Sequence, residues 1–181
     1  VKSTEAEYQE IIQYCQELFT KKNKDYGTSW RILRLPSITD QIFIKAQRIR
    51  TIQEKGLQKV EDNISGEFVG IINYCVMALI QIELNQEPSE NRVLDFNKLY
   101  LTEISQVQKL LFDKNHDYGE AWREMRVSSM TDIILMKLLR IKQIEDNDGQ
   151  TLVSEGVKAG YQDMINYAVF CLIKSNGLNT N

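Results

Sequence analysis

Lys22–Arg31 reads KNKDYGTSWR, and the same phrase returns as KNHDYGEAWR at Lys114–Arg123. Lys22/Lys114, Asp25/Asp117, Tyr26/Tyr118, Gly27/Gly119, Trp30/Trp122 and Arg31/Arg123 are all 92 residues apart. The offset persists through Arg34/Arg126, Ser37/Ser129, Thr39/Thr131, Asp40/Asp132, Lys45/Lys137 and Arg48/Arg140. After one inserted residue, Ile72-Asn73-Tyr74 matches Ile165-Asn166-Tyr167. The chain is an internal duplication, and the repeat serves as an alignment of two sequences. A duplicated core requires only that the apolar pattern persist. Here polar and aromatic residues persist as well.

Outward from the repeated phrase, each copy shows three helical segments and no convincing strand alternation. A first helix is predicted over Ala6–Lys22 and over Phe96–Asn115, with Ile11, Ile12, Cys15, Leu18 and Phe19 at helical spacing. Gly27 and Gly119 can end it or permit a turn. A second helix is predicted over Asp40–Glu54 and Asp132–Glu145. The Ser-x-Thr-Asp runs at Ser37 and Ser129 supply a capping hydroxyl and an acid for its positive end. Charged, variable loops follow at Lys55–Ser65 and Asp146–Ser154. A third helix is predicted over Glu67–Leu84 and Lys158–Lys174. The expected fold is all-α, a tandem-duplicated helical bundle with pseudo-two-fold symmetry. Its first repeat spans 1–84, a polar linker 85–95, and the second repeat 96–181, the two forming one joint bundle.

Composition narrows the function. The 181 residues are 43% hydrophobic, enough for a real core, and the net charge of −3 argues against a broad grip on DNA or RNA. A free nucleotide needs only a few local cations, so a small-molecule nucleotide remains open as the ligand. No apolar stretch is expected to approach the ~20 residues that span a bilayer. No signal peptide is read, and a cytoplasmic location is expected. Cys15, Cys75 and Cys171 are odd in number and lie in apolar helical stretches. With no CxxC pair and one histidine (His116, aligned with Lys24 and read as exposed), zinc is not expected.

Helix-facing polar residues carry the functional reading. Lys45 falls on the apolar stripe of Ile42, Ala46 and Ile49, with Arg48 at its edge, and Lys137 and Arg140 repeat this beside Ile134, Leu138 and Ile141. Such cations either clamp phosphate or form structural pairs, with Asp25 and Asp117 as partners. Tyr26, Trp30, Tyr118 and Trp122 either stack on a base or fill the core. Asp25 and Asp117 could hold a cation, a sugar hydroxyl or a metal. Asn73 and Asn166, set among apolar neighbours, must bond to the opposite copy, the backbone or a ligand. Glu67 and Asp163 are the metal candidates. Acids three apart on one helix suit Mg²⁺, but the first copy has Glu67 with Gly70, and the second has Gly160 with Asp163.

The run K-N-x-D-Y-G-x-x-W, then S-x-T-D-x-I-x-x-K-x-x-R-I, then I-N-Y resembles the nucleotide modification associated domain family of bacteria and phage. It covers nearly the whole chain twice. That layout is in turn similar to the MazG-like all-α NTP pyrophosphohydrolases. This second resemblance implies a carboxylate-bound Mg²⁺ and cleavage of a (d)NTP or modified nucleotide to monophosphate and pyrophosphate. Lys45, Arg48, Lys137 and Arg140 would bind phosphate. Asp25, Tyr26, Trp30, Arg31, Asn73, Asp117, Tyr118, Trp122, Arg123 and Asn166 would form the base and sugar pocket. The chain departs from that pattern: it has no E-E-x-x-E, and its E-x-x-D is divided between Glu67 and Asp163. The alternatives are a non-catalytic nucleotide sensor or accessory subunit, and a structural oligomerisation module. An exposed apolar helix face would imply a homodimer.

Overall fold

The structure, a computed structural model, describes residues 2–56, 61–86, 93–150 and 156–178, excluding the side chains of 61–63, 85–86 and 115–118. Six α-helices are present among them: α1 (Thr4–Tyr26), α2 (Leu35–Lys55), α3 (Glu61–Gln86), α4 (Phe96–Tyr118), α5 (Val127–Asp146) and α6 (Val157–Ser175). Short 3-10 turns at Ser29–Ile32 and Ala121–Glu124 join the first and second helices of each half. The all-α expectation holds, with no strand among the described residues. Parts of the two charged loops and of the linker, residues 57–60, 87–92 and 151–155, lie outside the described residues.

The boundaries follow from local chemistry. Ser3 caps α1 by accepting from the Ala6 amide at 3.2 Å, and Glu5 and Glu7 in the first turn favour the positive end of the helix dipole. α1 and α4 continue through the Asp-Tyr pair, one turn beyond the predicted ends. They stop at Gly27 and Gly119, whose φ of 66° and 65° a side chain rarely tolerates. α2 and α5 begin earlier than predicted. Pro36 stands in the first turn of α2, where a missing amide hydrogen does no harm. The expected Ser-x-Thr-Asp caps are therefore corrected. Thr39 and Thr131 lie inside the helices and bond back to the carbonyls of Leu35 (3.0 Å) and Val127 (3.2 Å). Asp40 and Asp132 pair across the α2–α5 seam with Lys142 (3.2 Å) and Arg50 (3.8 Å).

Packing follows the pseudo-two-fold. α3 and α6 lie together at the centre, α2 packs against α5, and each second helix packs on its own third. α1 and α4 cross over, so that each rests more on the other half's central helix than on its own. One contiguous core results, containing Ile12, Ile42, Ile49, Ile72, Leu79, Ile134, Leu138 and Ile165 among others. Each such buried aliphatic side chain contributes about 1.5–3 kcal/mol. The predicted repeats thus interleave as a single bundle.

Two hydrogen bonds express this crossing. Tyr8 donates to Asn166 Oδ1 at 2.8 Å, and Tyr100, 92 residues on, donates to Asn73 Oδ1 at 2.7 Å. Asn73 also donates to the Cys15 carbonyl at 3.0 Å. A related pair of nodes joins α2 to α5. Thr39 shares a hydrogen bond with Tyr161 (2.8 Å) and reaches Glu145 (3.4 Å), while Gln53 donates to Thr131 (3.1 Å).

One sequence expectation is revised. Ile64–Leu84 of α3 is, by length and composition, apolar enough to cross a membrane, with mean hydropathy 1.5. In the structure this stretch is the first half's central helix, packed against α2, α4 and α6, and 61% of its most apolar window is buried. Ile44 of α2 and Met136 and Leu139 of α5 are exposed apolar side chains.

Candidate functional site

The second half opens a cleft of about 310 Å³ between α4, α5 and α6. Its apolar side is made by Val107, Leu111, Ile141 and Ile144. Lys114, Lys137, Arg140, Asp163 and Asn166 bring the polar groups. Among the described residues, three cations and one carboxylate line the cleft. Each comes from a predictable place: Lys114 from the end of α4, Lys137 and Arg140 one turn apart on α5, and Asp163 and Asn166 one turn apart on α6. Lys137 donates to Asp163 Oδ2 at 3.0 Å, and Lys114 lies 3.8 Å from Oδ1 of the same group. The Lys137 side chain is 19% exposed, so its charge acts in a partly desolvated setting.

The first half is built from the same parts but is closed. Glu67 bridges Lys45 (3.4 Å) and Arg48 (2.9 Å) and is only 14% exposed. The Lys45 stem runs across Gly70, where an added Cβ would lie 2.9 Å from its Cε. The Lys45 ammonium is 5.8 Å from the centre of the Tyr74 ring. Structural pairing is thus what Lys45 and Arg48 show, with Glu67 as the partner in place of the expected Asp25. Asp25 is exposed on the last turn of α1, and Tyr26 beside it is 74% exposed. The side chains of His116, Asp117 and Tyr118 lie outside the described residues.

The tryptophans and arginines of the repeated phrase are tied into the packing. Trp30 is buried against Phe19 and Phe96, and its indole donates to Asn23 at 3.0 Å. Trp122 stacks on Phe170 with centroids 4.2 Å apart, and Arg123 lies over its ring at 4.4 Å. Arg31 bonds to Gln81, whose amide donates to the carbonyls of Arg31 (2.9 Å) and Leu33 (2.8 Å). Arg123 reaches Glu7, Thr4 and Glu120, and Lys174, equivalent to Gln81, donates to the Arg123 carbonyl. These residues order the turn between the first and second helices. The expected base and sugar pocket is not assembled from Trp30, Arg31, Trp122 and Arg123. Asn73 is buried with its amide satisfied, while Asn166 both accepts from Tyr8 and lines the cleft.

The donor set among the described residues does not fit Mg²⁺. Such an ion needs near-octahedral oxygen ligands. Glu67 and Asp163 are each held by two cations of their own half. Among the described residues no three acidic, histidine or cysteine side chains converge. The cysteines offer no alternative chemistry. All three are buried, and burial pushes the Cys15 and Cys171 thiols up to about 12.

Sequence reasoning picked out Lys137, Arg140, Asp163 and Asn166 but left Lys114 as a repeated residue without a role. The signal was its place one turn before Asp117 in a phrase preserved at the 92-residue offset.

A family model described as nucleotide modification associated domain 1 matches the chain twice, over residues 22–82 and 114–174. No curated protein and no solved structure matches.

Proposed function

The chain belongs to the nucleotide modification associated domain 1 family through two tandem copies, and on that premise we propose that it binds a phosphorylated nucleotide in the second-half cleft. The observation that carries this reading is the convergence of Lys114, Lys137 and Arg140 on one cavity, lined among the described residues by a single carboxylate, Asp163. Phosphate oxygens would accept from the two ammonium groups and the guanidinium, with Arg140 offering two parallel donors. Val107, Leu111, Ile141 and Ile144 would take the less polar part of the ligand. The volume is at the lower end for a small-molecule site, so part of the nucleotide would remain in solvent. On this reading binding proceeds without turnover, because Asp163, the one acid described in the cleft, is held by two lysines.

Calorimetric titration with (d)NTPs and (d)NMPs, with and without Mg²⁺, tests this. Triphosphates should bind more tightly than monophosphates. Lys137→Ala should weaken binding at least about ten-fold, which corresponds to about 1.4 kcal/mol. Lys45→Ala should leave the affinity as it was. Equal affinity of the parent and Lys137→Ala would sink the phosphate assignment. The second reading, a pyrophosphohydrolase, predicts release of pyrophosphate.

A further inference from the structure

We infer that Tyr8, on the first helix of the first half, is a positioning residue for the second-half cleft: it holds the Asn166 side chain so that the amide hydrogens face the ligand and bond an uncharged acceptor oxygen of the nucleoside. This rests on the nucleotide-binding reading and adds what recognises the ligand beyond its phosphates.

The two halves use the same asparagine differently. In the first half Tyr100 donates to Asn73 Oδ1 at 2.7 Å, and the Asn73 amide donates to the Cys15 carbonyl at 3.0 Å. That second bond straps α3 to α1, and Asn73 is buried. In the second half Tyr8 donates to Asn166 Oδ1 at 2.8 Å. Val107 stands where Cys15 does, 92 residues on. The strap is not repeated: among the described residues the Asn166 amide hydrogens have no acceptor. Asn166 and Val107 line the cleft instead.

Tyr8 sets which end of the side chain the ligand meets. It is fully buried and lies edge-on to Phe112, with centroids 6.2 Å apart. Asn166 Oδ1 is the acceptor its hydroxyl meets, and a buried hydroxyl left without one is costly. Burial also holds the Tyr8 hydroxyl far above its usual range, so it keeps the proton it donates. With Oδ1 turned to Tyr8, the two amide donors are left for the cleft. The second-half site is thus completed by a residue of the first half.

Register indicates what the amide bonds. Asn166 lies one turn of α6 beyond Asp163, about 4.5 Å along the axis. Lys137 and Lys114 gather at Asp163. A phosphate placed at Asn166 would exchange those lysines for a neutral amide beside the apolar Val107, and an unpaired charge is expensive there. An uncharged oxygen next to the phosphates, either a sugar hydroxyl or a base carbonyl, accepts from the amide at no such cost.

Titration of the full chain with the tightest-binding (d)NTP, its dideoxy form and inorganic triphosphate tests this. Asn166→Leu should weaken the nucleotide about five-fold, the worth of one neutral hydrogen bond, and leave triphosphate affinity as it was. Tyr8→Phe frees the amide to turn and should show the same split with a smaller loss. Tyr100→Phe, its counterpart, should lower stability and shift neither affinity. If a sugar hydroxyl is the acceptor, the dideoxy form binds the parent and Asn166→Leu alike. If a base carbonyl is, the split persists with the dideoxy form. Parent-like nucleotide affinity in folded Asn166→Leu or Tyr8→Phe overturns the inference and leaves the phosphate reading standing. So does equal weakening of nucleotide and triphosphate, or the same split in Tyr100→Phe. If the parent binds neither nucleotide nor triphosphate, both readings fall. Should a variant fail to fold, the Asn166 side-chain amide resonance of the parent decides. It should move with nucleotide and stay in place with triphosphate, and a resonance that nucleotide leaves in place overturns the inference.

Discussion

Replacing Glu103 with isoleucine should make the protein more stable. Glu103 lies on α4 and is 2% exposed, and its Oε2 has no hydrogen-bond partner among the described residues. Burial raises its pKa, Glu83 adds to the effect, and Lys158 opposes it. The first half shows what shape the position accepts, because the aligned residue is Ile11, itself buried. Removing a buried, unsatisfied acceptor recovers about 1–3 kcal/mol. Losing the attraction of Lys158 returns about 0.2–1 kcal/mol, and the lower helix propensity of isoleucine a few tenths more. The net gain near neutral pH is about 1–2 kcal/mol. For a chain of this size that is a rise in Tm of about 2–8 °C. The sign with pH follows from linkage. A carboxyl whose folded pKa lies above its unfolded value, about 4.3, contributes stability that is fully present below that value. The contribution is lost as pH rises through the raised pKa. The advantage of Glu103→Ile should therefore be largest at pH 7–8 and shrink toward pH 4. Urea denaturation at the two ends of that range measures it. A variant less stable than the parent at pH 7.5, or a gain that does not change with pH, would refute the reasoning.

Tyr8→Phe and Tyr100→Phe each remove a hydroxyl that donates across the halves. Tyr100→Phe should cost about 1–3 kcal/mol in urea unfolding because it strands the buried Asn73 carbonyl oxygen, and Tyr8→Phe should cost less because Asn166 opens to the cleft. Glu145 is also raised, first by burial and then by Asp40 and Asp146, against the opposing Thr39 hydrogen bond and Lys142. Glu145→Gln copies Gln53 of the other half, so it should be stabilising at neutral pH by less than Glu103→Ile. Its gain should shrink as pH falls toward 4, read by scanning calorimetry across that range.

The fold was largely legible because duplication and apolar spacing are both written in the chain. Ile42, Ala46 and Ile49 were enough to orient α2, and the 92-residue offset then oriented α5. The helix starts were less legible. Thr39 and Asp40 read as a cap, but Pro36 sets the first turn and moves them inside. At the site, Lys137 and Arg140 were readable as a phosphate pair one turn apart, and Asp163 and Asn166 as a metal and a pocket candidate one turn apart on another helix; the structure lines one cleft with all four. The repeated tryptophans were open to two readings, stacking on a base or filling the core. Trp30 and Trp122 are both buried against aromatic neighbours, which a sequence cannot distinguish from a shared ligand pocket. The closure of the first half was foreshadowed by the divided E-x-x-D. That pattern read as a divided metal site, and in the structure each of its two acids lies against two cations of its own half.

The crossing of α1 and α4 has a consequence for how such a chain diverges. A single repeat would leave Tyr8 facing no Asn166, so the arrangement needs two copies whether or not they are joined. Were the copies separate and identical, every substitution would appear at both sites at once, and closing one would close the other. Covalent fusion removes that constraint. Glu67 can be held in one copy and Gly160 in the other, so that one half is free to become the keel while the other stays open to the solution.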